Sequence, residues 1–351
     1  MKSKRILVIK PSSLGDIIHT FPAVTALKKE FPDSVIDWLV NPEFSEIVAM
    51  CPAVDNCIPF ERKKLGSFSK FLSEILKLKK SLSASYYDFI IDFQGLMRSS
   101  MVTKLADAGR IYGFAKPREQ VSTFFYTDRV AVSDKAKHAI EKNMELVGAV
   151  IGRKAELPEN YLLIPDELKS RLAEILKREN ISQDDYKIGM VIGARWESKK
   201  WPDEFFVSVC DELGRLNSDS KIILIGAPSD SENSSFILEH SENGSLVSLV
   251  GKTSMTELLV LIDACDVILT NDSGPMHIAA ALDKRTIAMF GPTDPEKTGP
   301  FGDNSLVLSA ENLDCLKCLK RVCPAGTNDC HKNIDPVRVA ELLTENYQTG
   351  E

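Results

Sequence analysis

Residues 270–282 read TNDSGPMHIAAAL, and this is the most informative stretch of the chain. It follows the mainly apolar segment Asp266-Val-Ile-Leu, which is typical of a buried parallel strand, and it opens a helix of small residues. The N–H groups at a helix start have no partner within the helix and lie at its positive end, so they can bind an anion. Ser273 and Gly274 allow a ligand to approach closely, and Pro275 suits a first helical turn.

Two polar side chains in this stretch suit a nucleotide or sugar ligand. Asp272 can accept a hydrogen bond from a sugar or ribose hydroxyl, and His277 can donate one to a phosphate oxygen. The same pattern also fits a well-capped turn that binds nothing, so the rest of the sequence has to decide between the two interpretations.

The composition describes a globular protein of two domains. The chain has 351 residues, 44% of them hydrophobic and 26% charged. Its net charge of −7 argues against a nucleic-acid partner. No apolar run approaches the roughly 20 residues of a transmembrane helix. The apolar run after MKSKR is too short for a signal peptide and predicts a first strand, so we expect a cytoplasmic protein.

Apolar strand-like runs alternate with helical patterns almost throughout, which predicts parallel α/β sheets. The predicted strands are 5–9, 35–40, 88–93, 110–113, 186–192, 221–225, 246–250, 266–270, 285–290 and 305–309. The predicted helices are 16–30, 42–50, 67–82, 98–108, 139–151, 202–216, 229–240, 254–264, 275–282 and 335–347.

The segment 156–165 carries two prolines and no helical period, which indicates a linker. We therefore expect an N-terminal domain at 1–160, a C-terminal domain at 161–333, and a final helical segment at 334–351 that packs back on the N-terminal domain. The predicted fold class is α/β, with two Rossmann-like doubly wound domains that face a central cleft, where ligands of such sheets bind.

The first strand ends in Lys10-Pro-Ser-Ser-Leu-Gly-Asp16, which lacks the GxGxxG fingerprint of an NAD enzyme. Ser13 suits a cap and Gly15 allows close approach of a ligand. Asp16 at the helix start is kept ionised by the helix dipole. It is interpreted either as a helix-capping carboxylate or as a general base at the end of the first strand.

Several strands of the second half also end in small or polar residues, which together describe a nucleotide crevice. The turn 193–202 contains an arginine and two lysines that suit a phosphate, although a solvated charge cluster is the alternative. Asp230 fits a ribose or purine acceptor and equally the N-cap of the next helix. Thr293, in the loop 290–295, fits either a phosphate contact or a structural turn.

Basic residues follow the strand ends of the first half. One group lies in residues 61–64, which follow a short strand. The others are Arg98, Lys116 and Arg118. They predict a patch for an anionic acceptor, although each one alone also fits a scattered surface charge.

Taken together, KPSSLGD, the Arg-Trp-x-x-Lys-x-Trp-Pro turn, TNDSGPMHIAAAL and FGPTDP resemble glycosyltransferase family 9, the ADP-heptose:lipopolysaccharide heptosyltransferases. The resemblance covers nearly the whole chain. It implies a GT-B architecture, with the acceptor site in the first domain and the nucleotide-sugar site in the second. It also implies an enzyme without a metal or a cofactor.

The resemblance assigns roles residue by residue. Asp16 falls on the catalytic aspartate. Lys199 matches a contact to the donor diphosphate, and the loop of Asp272, Ser273, Gly274 and His277 matches the contacts to the diphosphate and the sugar. Thr253 matches the contact to adenine. Asp230 matches an acidic contact to the ribose, at a position where the family usually has Glu. The positions expected to meet the acceptor are Ser13, Gly15, Arg62, Lys63, Lys64, Gln94, Arg98 and Arg118.

The implied reaction is an inverting transfer of heptose from ADP-heptose to a hydroxyl of the lipopolysaccharide inner core. The implied location is peripheral, on the inner face of the inner membrane. One alternative is a related transferase with another nucleotide sugar or acceptor. A second alternative is a non-catalytic nucleotide-sugar-binding envelope protein. A third, an NAD-dependent enzyme, is disfavoured because the glycine fingerprint is missing.

Four of the eight cysteines lie close together near the C-terminus, at Cys315, Cys318, Cys323 and Cys330. Four thiols could bind Zn²⁺ or an iron–sulfur cluster, but their spacing matches neither usual pattern. Disulfides or free thiols are the alternatives, and no catalytic role is expected for them.

Overall fold

The computed structural model describes residues 3–61, 68–133, 138–216 and 219–345. The chain divides into two compact units, Met1–Leu163 and Ile164–Glu351. The division falls inside the proline-containing segment 156–165, which forms neither helix nor strand. None of the helices in the described ranges is both long enough and apolar enough to cross a membrane.

The first unit contains a six-stranded parallel sheet with the strand order β3-β2-β1-β4-β5-β6. Its strands are β1 (Arg5–Ile9), β2 (Val35–Val40), β3 (Asn56–Pro59), β4 (Tyr86–Asp92), β5 (Asp107–Phe114) and β6 (Asp128–Val130). The chain winds outward on one side of β1 and then on the other, which makes the sheet doubly wound. The four apolar residues 6–9 of β1 are completely buried because helices cover both faces.

The second unit repeats this topology in a sheet with the order β12-β11-β10-β7-β8-β9. Its strands are β7 (Tyr186–Val191), β8 (Ser220–Ile225), β9 (Leu246–Ser248), β10 (Val267–Asn271), β11 (Arg285–Phe290) and β12 (Ser305–Ser309). All neighbouring strands are again parallel. The predicted pair of Rossmann-like doubly wound domains is therefore confirmed.

The helices connect the strands in both units. The α-helices of the first unit are Leu14–Ile18, Phe21–Glu30, Ser45–Val48, Phe68–Leu82, Met97–Ser100 and Ala139–Ile151. Those of the second are Asp166–Arg178, Asp203–Leu216, Ser231–His240, Met255–Ala264, Gly274–Ala281, Pro295–Thr298, Asp329–Lys332 and Pro336–Thr344. Shorter 3-10 turns lie at Pro42–Phe44, Met101–Leu105, Gln120–Phe125, Glu197–Lys199 and Pro228–Asp230.

Several parts of the predicted element map differ from the structure, among them β3 and β6, which are missing from the predicted strands. The predicted helix 16–30 is two helices that break at residues 19–20. The predicted helix 98–108 ends in a 3-10 turn, and β5 already begins at Asp107. The helix Asp166–Arg178 was not predicted, although its acidic first turn, its basic last turn and the buried pair Leu172 and Leu176 are helix signals.

The last helix, Pro336–Thr344, belongs to the core of the second unit. Val339, Ala340 and Leu343 are completely buried, in one cluster with Phe206 and Val209 of the helix Asp203–Leu216. The apolar face of the last helix is thereby used within its own unit. Its expected contact with the N-terminal domain stays a prediction.

A glycine in the central strand β7 tests the packing of the second core. A Cβ atom on Gly189 would lie 2.6 Å from Ile268 Cδ1 and 3.0 Å from Cys265 Sγ. We expect Gly189→Ala to lower the free energy of unfolding by about 1–3 kcal/mol, because overpacking displaces neighbouring side chains. Gly244→Ala is the control, since nothing lies within 4 Å of the added atom. Equal denaturant midpoints for the two variants would contradict this account of the packing.

Candidate functional site

The loops after β7, β8, β10 and β11 share one edge of the second sheet, because parallel strands end on the same side. Most residues that the sequence predicts for donor binding lie in these loops. The loop after β7 carries Lys199, the loop after β8 carries Asp230, and β10 leads directly into Asp272.

Lys199, Asp272 and Thr293 form a buried polar cluster at this edge. The Lys199 ammonium lies 2.6 Å from Oδ2 of Asp272, and the side chains are only 16% and 5% exposed. The Thr293 hydroxyl donates a hydrogen bond to the same carboxylate oxygen. The ammonium also lies 4.8 Å from the centre of the Trp196 ring, which adds a cation–π contact. Three loops that are distant in sequence are thus joined at one carboxylate.

Asn271 ties the end of β10 to the loop after β7. Its side chain is completely buried. It donates to the Ile192 carbonyl over 2.8 Å and accepts from the Trp201 N–H over 3.0 Å, so it holds both ends of this loop. Sequence reasoning missed this role, although an amide that follows a run of buried apolar residues is a usable signal because it needs partners.

The helix Gly274–Ala281 begins at this cluster. Ser273 is its N-cap residue with extended backbone, but the Ser273 side chain makes no capping hydrogen bond. The first turn holds no acidic side chain, and the Asp272 carboxylate directly before the N-cap residue is paired with Lys199. His277 lies on the same helix and is 8% exposed.

Asp230 lies against the loop after β7. Its carboxylate accepts from the Ala227 N–H over 2.9 Å, and Lys200 Nζ lies 3.9 Å away. A Cβ atom on Gly193 would fall 2.2 Å from Oδ2 of Asp230, so only glycine fits there. Asp230 is the N-cap residue of the helix Ser231–His240, as the second interpretation predicts, but its carboxylate makes no capping hydrogen bond to that helix. Thr253 is half-buried, two residues before the helix Met255–Ala264.

In the first unit, Asp16 lies in the first turn of the helix Leu14–Ile18. Its Oδ2 accepts from the Ser13 N–H over 3.0 Å and from the Ser13 hydroxyl over 2.8 Å. Lys10 Nζ lies 3.5 Å from Oδ1, with the lysine side chain 9% and the aspartate side chain 48% exposed. Gly15 beside it is buried. The carboxylate thus caps its helix and also reaches the surface.

A buried carboxylate at the end of β4 organises the loop that carries Gln94 and Arg98. Asp92 is completely buried and accepts from the Ser100 hydroxyl over 2.5 Å and the Tyr126 hydroxyl over 2.8 Å. It also accepts from the N–H groups of Gln94 and Gly95. Burial raises the pKa of Asp92, and these four donors oppose that rise by stabilising the carboxylate.

The loop after β4 is joined to the segment that carries Arg118. The Met97 N–H donates to the Glu119 carboxylate over 2.7 Å, and the Glu119 N–H donates to the Gly95 carbonyl over 3.0 Å. Arg98 and Arg118 are exposed on these two segments, while Gln94 is half-buried. Arg62, Lys63 and Lys64 lie outside the described residues.

The eight cysteines are free thiols. Within the described ranges, no three His, Cys, Asp or Glu side chains are grouped so that they could hold a metal ion. Backbone N–H groups, that of Asn328 foremost, lower the pKa of Cys323, whereas burial raises the pKa of Cys330 to about 11.

The family model and the curated relatives indicate one family, and the solved structures show the same fold. The family model of glycosyltransferase family 9 (heptosyltransferase) matches residues 75–328. Lipopolysaccharide heptosyltransferase 1 of Pseudomonas aeruginosa is 29% identical over 362 residues, which cover 97% of each protein. Its namesake from Escherichia coli K12 is 30% identical over 320 residues, or 88% of this chain and 95% of the relative. The structure of E. coli heptosyltransferase WaaC with ADP has a TM-score of 0.78 at 24% identity, covering 97% of this chain and 99% of that one.

Substitution of Asp92 tests whether this carboxylate stabilises the loop after β4. We expect Asp92→Ala to lower the free energy of unfolding by about 3–5 kcal/mol, because four donors lose a buried acceptor. Asp128→Ala is the matched control, since its ion pair with Arg110 is partly exposed, at 58% for the arginine and 23% for the aspartate side chain, and contributes at most about 1 kcal/mol. Urea unfolding measures both variants, and equal losses would contradict the role given to Asp92.

Proposed function

The chain belongs to glycosyltransferase family 9, and from this premise we propose that it moves a heptose from ADP-heptose to a hydroxyl of the lipopolysaccharide inner core with inversion of the anomeric centre. Membership of a heptosyltransferase family and the names of the relatives support the sugar and the acceptor. The presence of ADP in the WaaC structure supports the nucleotide. The family, the transferase class and the GT-B fold are as the sequence predicts.

The observation that carries the proposal is the Lys199–Asp272 pair beside the start of the helix Gly274–Ala281. A diphosphate needs several positive partners that are already in place, since fixed charges stabilise a leaving group without reorganisation. Lys199, His277 and the N–H groups at Ser273 and Gly274 are proposed to supply them. Positive groups and a helix end then bind the diphosphate without a metal or a cofactor.

Asp272 has two tasks in this proposal. Its carboxylate holds the Lys199 ammonium at 2.6 Å, which fixes the direction of a flexible side chain. A carboxylate has about four acceptor positions, so it can also accept from a hydroxyl of the donor sugar. Asp230 is proposed to accept from the ribose, and Thr253 to lie against the adenine.

Asp16 is the proposed general base in the first unit. It removes the proton from the acceptor hydroxyl, whose oxygen attacks the anomeric carbon from the face opposite ADP, and the diphosphate leaves with the electron pair of the broken bond. The hydrogen bonds from Ser13 and the nearby Lys10 hold the carboxylate in position. The 48% exposure of the Asp16 side chain leaves it accessible to an acceptor.

The acceptor is proposed to bind to the first unit. Ser13 and Gln94 follow strand ends at one edge of its sheet, and Gly15 lies in the helix Leu14–Ile18 that begins there. The exposed guanidinium groups of Arg98 and Arg118 suit phosphates on the acceptor. Arg62, Lys63 and Lys64, which lie outside the described residues, are proposed as further contacts of the acceptor. Because such an acceptor is carried by a lipid, the protein is proposed to work at the inner surface of the inner membrane.

The general base is tested with Asp16→Asn. We expect kcat/KM for transfer to fall by about 10²–10⁴-fold, because the acceptor hydroxyl loses its proton acceptor, while the Kd for ADP changes less than about twofold. Asp33→Asn, in an exposed turn, is the control and is expected to retain activity. Activity of Asp16→Asn within about tenfold of the native protein would disprove the assignment.

The donor site is tested with Lys199→Met. We expect ADP to bind about 10–100-fold more weakly in calorimetry, because the diphosphate loses a cation and meets the unpaired Asp272 carboxylate. Lys169→Met removes an exposed lysine of the same unit and is expected to leave the Kd unchanged. An unchanged Kd in Lys199→Met would place the diphosphate elsewhere.

A further inference from the structure

We propose that the cysteine-bearing segment 315–331, here named the strap, positions Lys199 and Thr293 for the donor diphosphate, and that donor binding therefore limits the accessibility of the strap's thiols. The inference rests on the proposed donor site and adds a positioning element to it. No role for this segment follows from the transfer chemistry itself.

The strap is bonded to the residue next to Lys199. The Ser198 N–H donates to the Arg321 carbonyl over 3.1 Å, and the Ser198 hydroxyl donates to the Lys320 carbonyl over 2.6 Å. Ser198 is 2% exposed and lies in the single turn Glu197–Lys199. Fixing Ser198 at both its backbone and its side chain therefore fixes the direction in which Lys199 leaves the turn.

Trp196 connects the strap to the same lysine a second time. The Arg321 guanidinium lies 5.7 Å from the centre of the Trp196 ring, and the Lys199 ammonium lies 4.8 Å from it. Arg321 of the strap and Lys199, which is proposed to bind the diphosphate, are thus two cations in contact with the same aromatic ring. Movement of the strap would change the surroundings of Lys199 through this ring as well as through Ser198.

The strap is also bonded to the loop that carries Thr293. The N–H groups of Lys317 and Leu319 donate to the carbonyls of Gly291 and Pro292 over 3.0 and 2.7 Å. Lys317 and Leu319 have φ values of +59° and +58°, in the left-handed region that non-glycine residues seldom adopt. This unusual backbone turns both N–H groups toward residues 291–292, directly before Thr293.

The end of the strap contacts both the loop after β7 and the loop after β11. His331 is completely buried, and its carbonyl accepts from Trp201 Nε1 over 3.0 Å. Burial lowers the pKa of His331 to about 4, so the ring packs there as a neutral group. A Cβ atom on Gly291 would lie 2.6 Å from Cys330 Sγ and 3.1 Å from Nε2 of His331, so the strap approaches this glycine closely.

The two loops held by the strap are the two that meet at Asp272. Lys199 reaches Asp272 from one loop and Thr293 from the other. If the strap stabilises the arrangement that binds the donor, the donor must stabilise the strap by the same free energy. The thiols then report on the coupling, since Cys315 is exposed and Cys318, Cys323 and Cys330 are partly exposed.

The positioning role is tested with Ser198→Ala in the full-length protein. We expect the KM for ADP-heptose and the Kd for ADP to rise about 5–10-fold, because the Lys320 carbonyl loses a buried donor and the turn loosens, while the KM for the acceptor is unchanged. Ser208→Ala removes the same kind of bond, to the Glu204 carbonyl, on the solvent-exposed face of the helix Asp203–Leu216 and is expected to change neither constant. Equal donor constants in the two variants would overturn the proposal.

The coupling is tested on the native protein, which avoids any folding defect of a variant. N-ethylmaleimide alkylation is followed by peptide mass spectrometry with and without saturating ADP. We expect ADP to slow alkylation of Cys318, Cys323 and Cys330 by at least about threefold and to leave Cys57 of the first unit unaffected. If ADP binds in calorimetry and these rates do not change, the strap proposal is wrong and the proposed function stands. If ADP does not bind at all, both proposals are wrong.

Discussion

The buried pair of Asp272 and Lys199 is the interaction on which the candidate donor site depends. Two charges with little exposure are stable only when they are paired, and loss of either partner costs about 3–5 kcal/mol because the other is left uncompensated. The pair also constrains the chain, since Asp272 follows β10 and Lys199 belongs to the loop after β7. Asn271 holds the two ends of that loop, and Thr293 brings in a third loop.

The first unit uses carboxylates in two different ways. Asp92 is completely buried and is occupied by four donors, so it organises a loop and is not available to a substrate. Asp16 is bonded on one oxygen by Ser13 and lies near Lys10, yet about half of its side chain is exposed. A carboxylate that is held in place and still accessible is what a general base requires, and this contrast favours Asp16 over Asp92 for the chemistry.

Much of the fold could be predicted because its signals are local. The bounds of β1, β2, β11 and β12 follow from apolar runs between turn residues, and the motif 270–282 marks its strand and helix directly. The site was less predictable, because its contacts span the sequence: Ser198 is bonded to carbonyls at 320 and 321, and Asn271 to residues 192 and 201. Periodicity carries no information about such partners. The break in the predicted helix 16–30 was not predicted either. Pro22 suits the first turn of a second helix, but a proline alone does not show that a new helix begins there.

The most direct test of the central claim is transfer by the native protein from ADP-heptose to defined truncated core acceptors. Mass spectrometry and NMR of the product measure the added sugar and the configuration at its anomeric carbon. We expect one added heptose, one ADP released for each sugar transferred, and an anomeric configuration opposite to that of the donor. A product that retains the donor configuration would contradict the single displacement by an Asp16-activated hydroxyl, and ADP-heptose binding without transfer to any core acceptor would contradict the function itself.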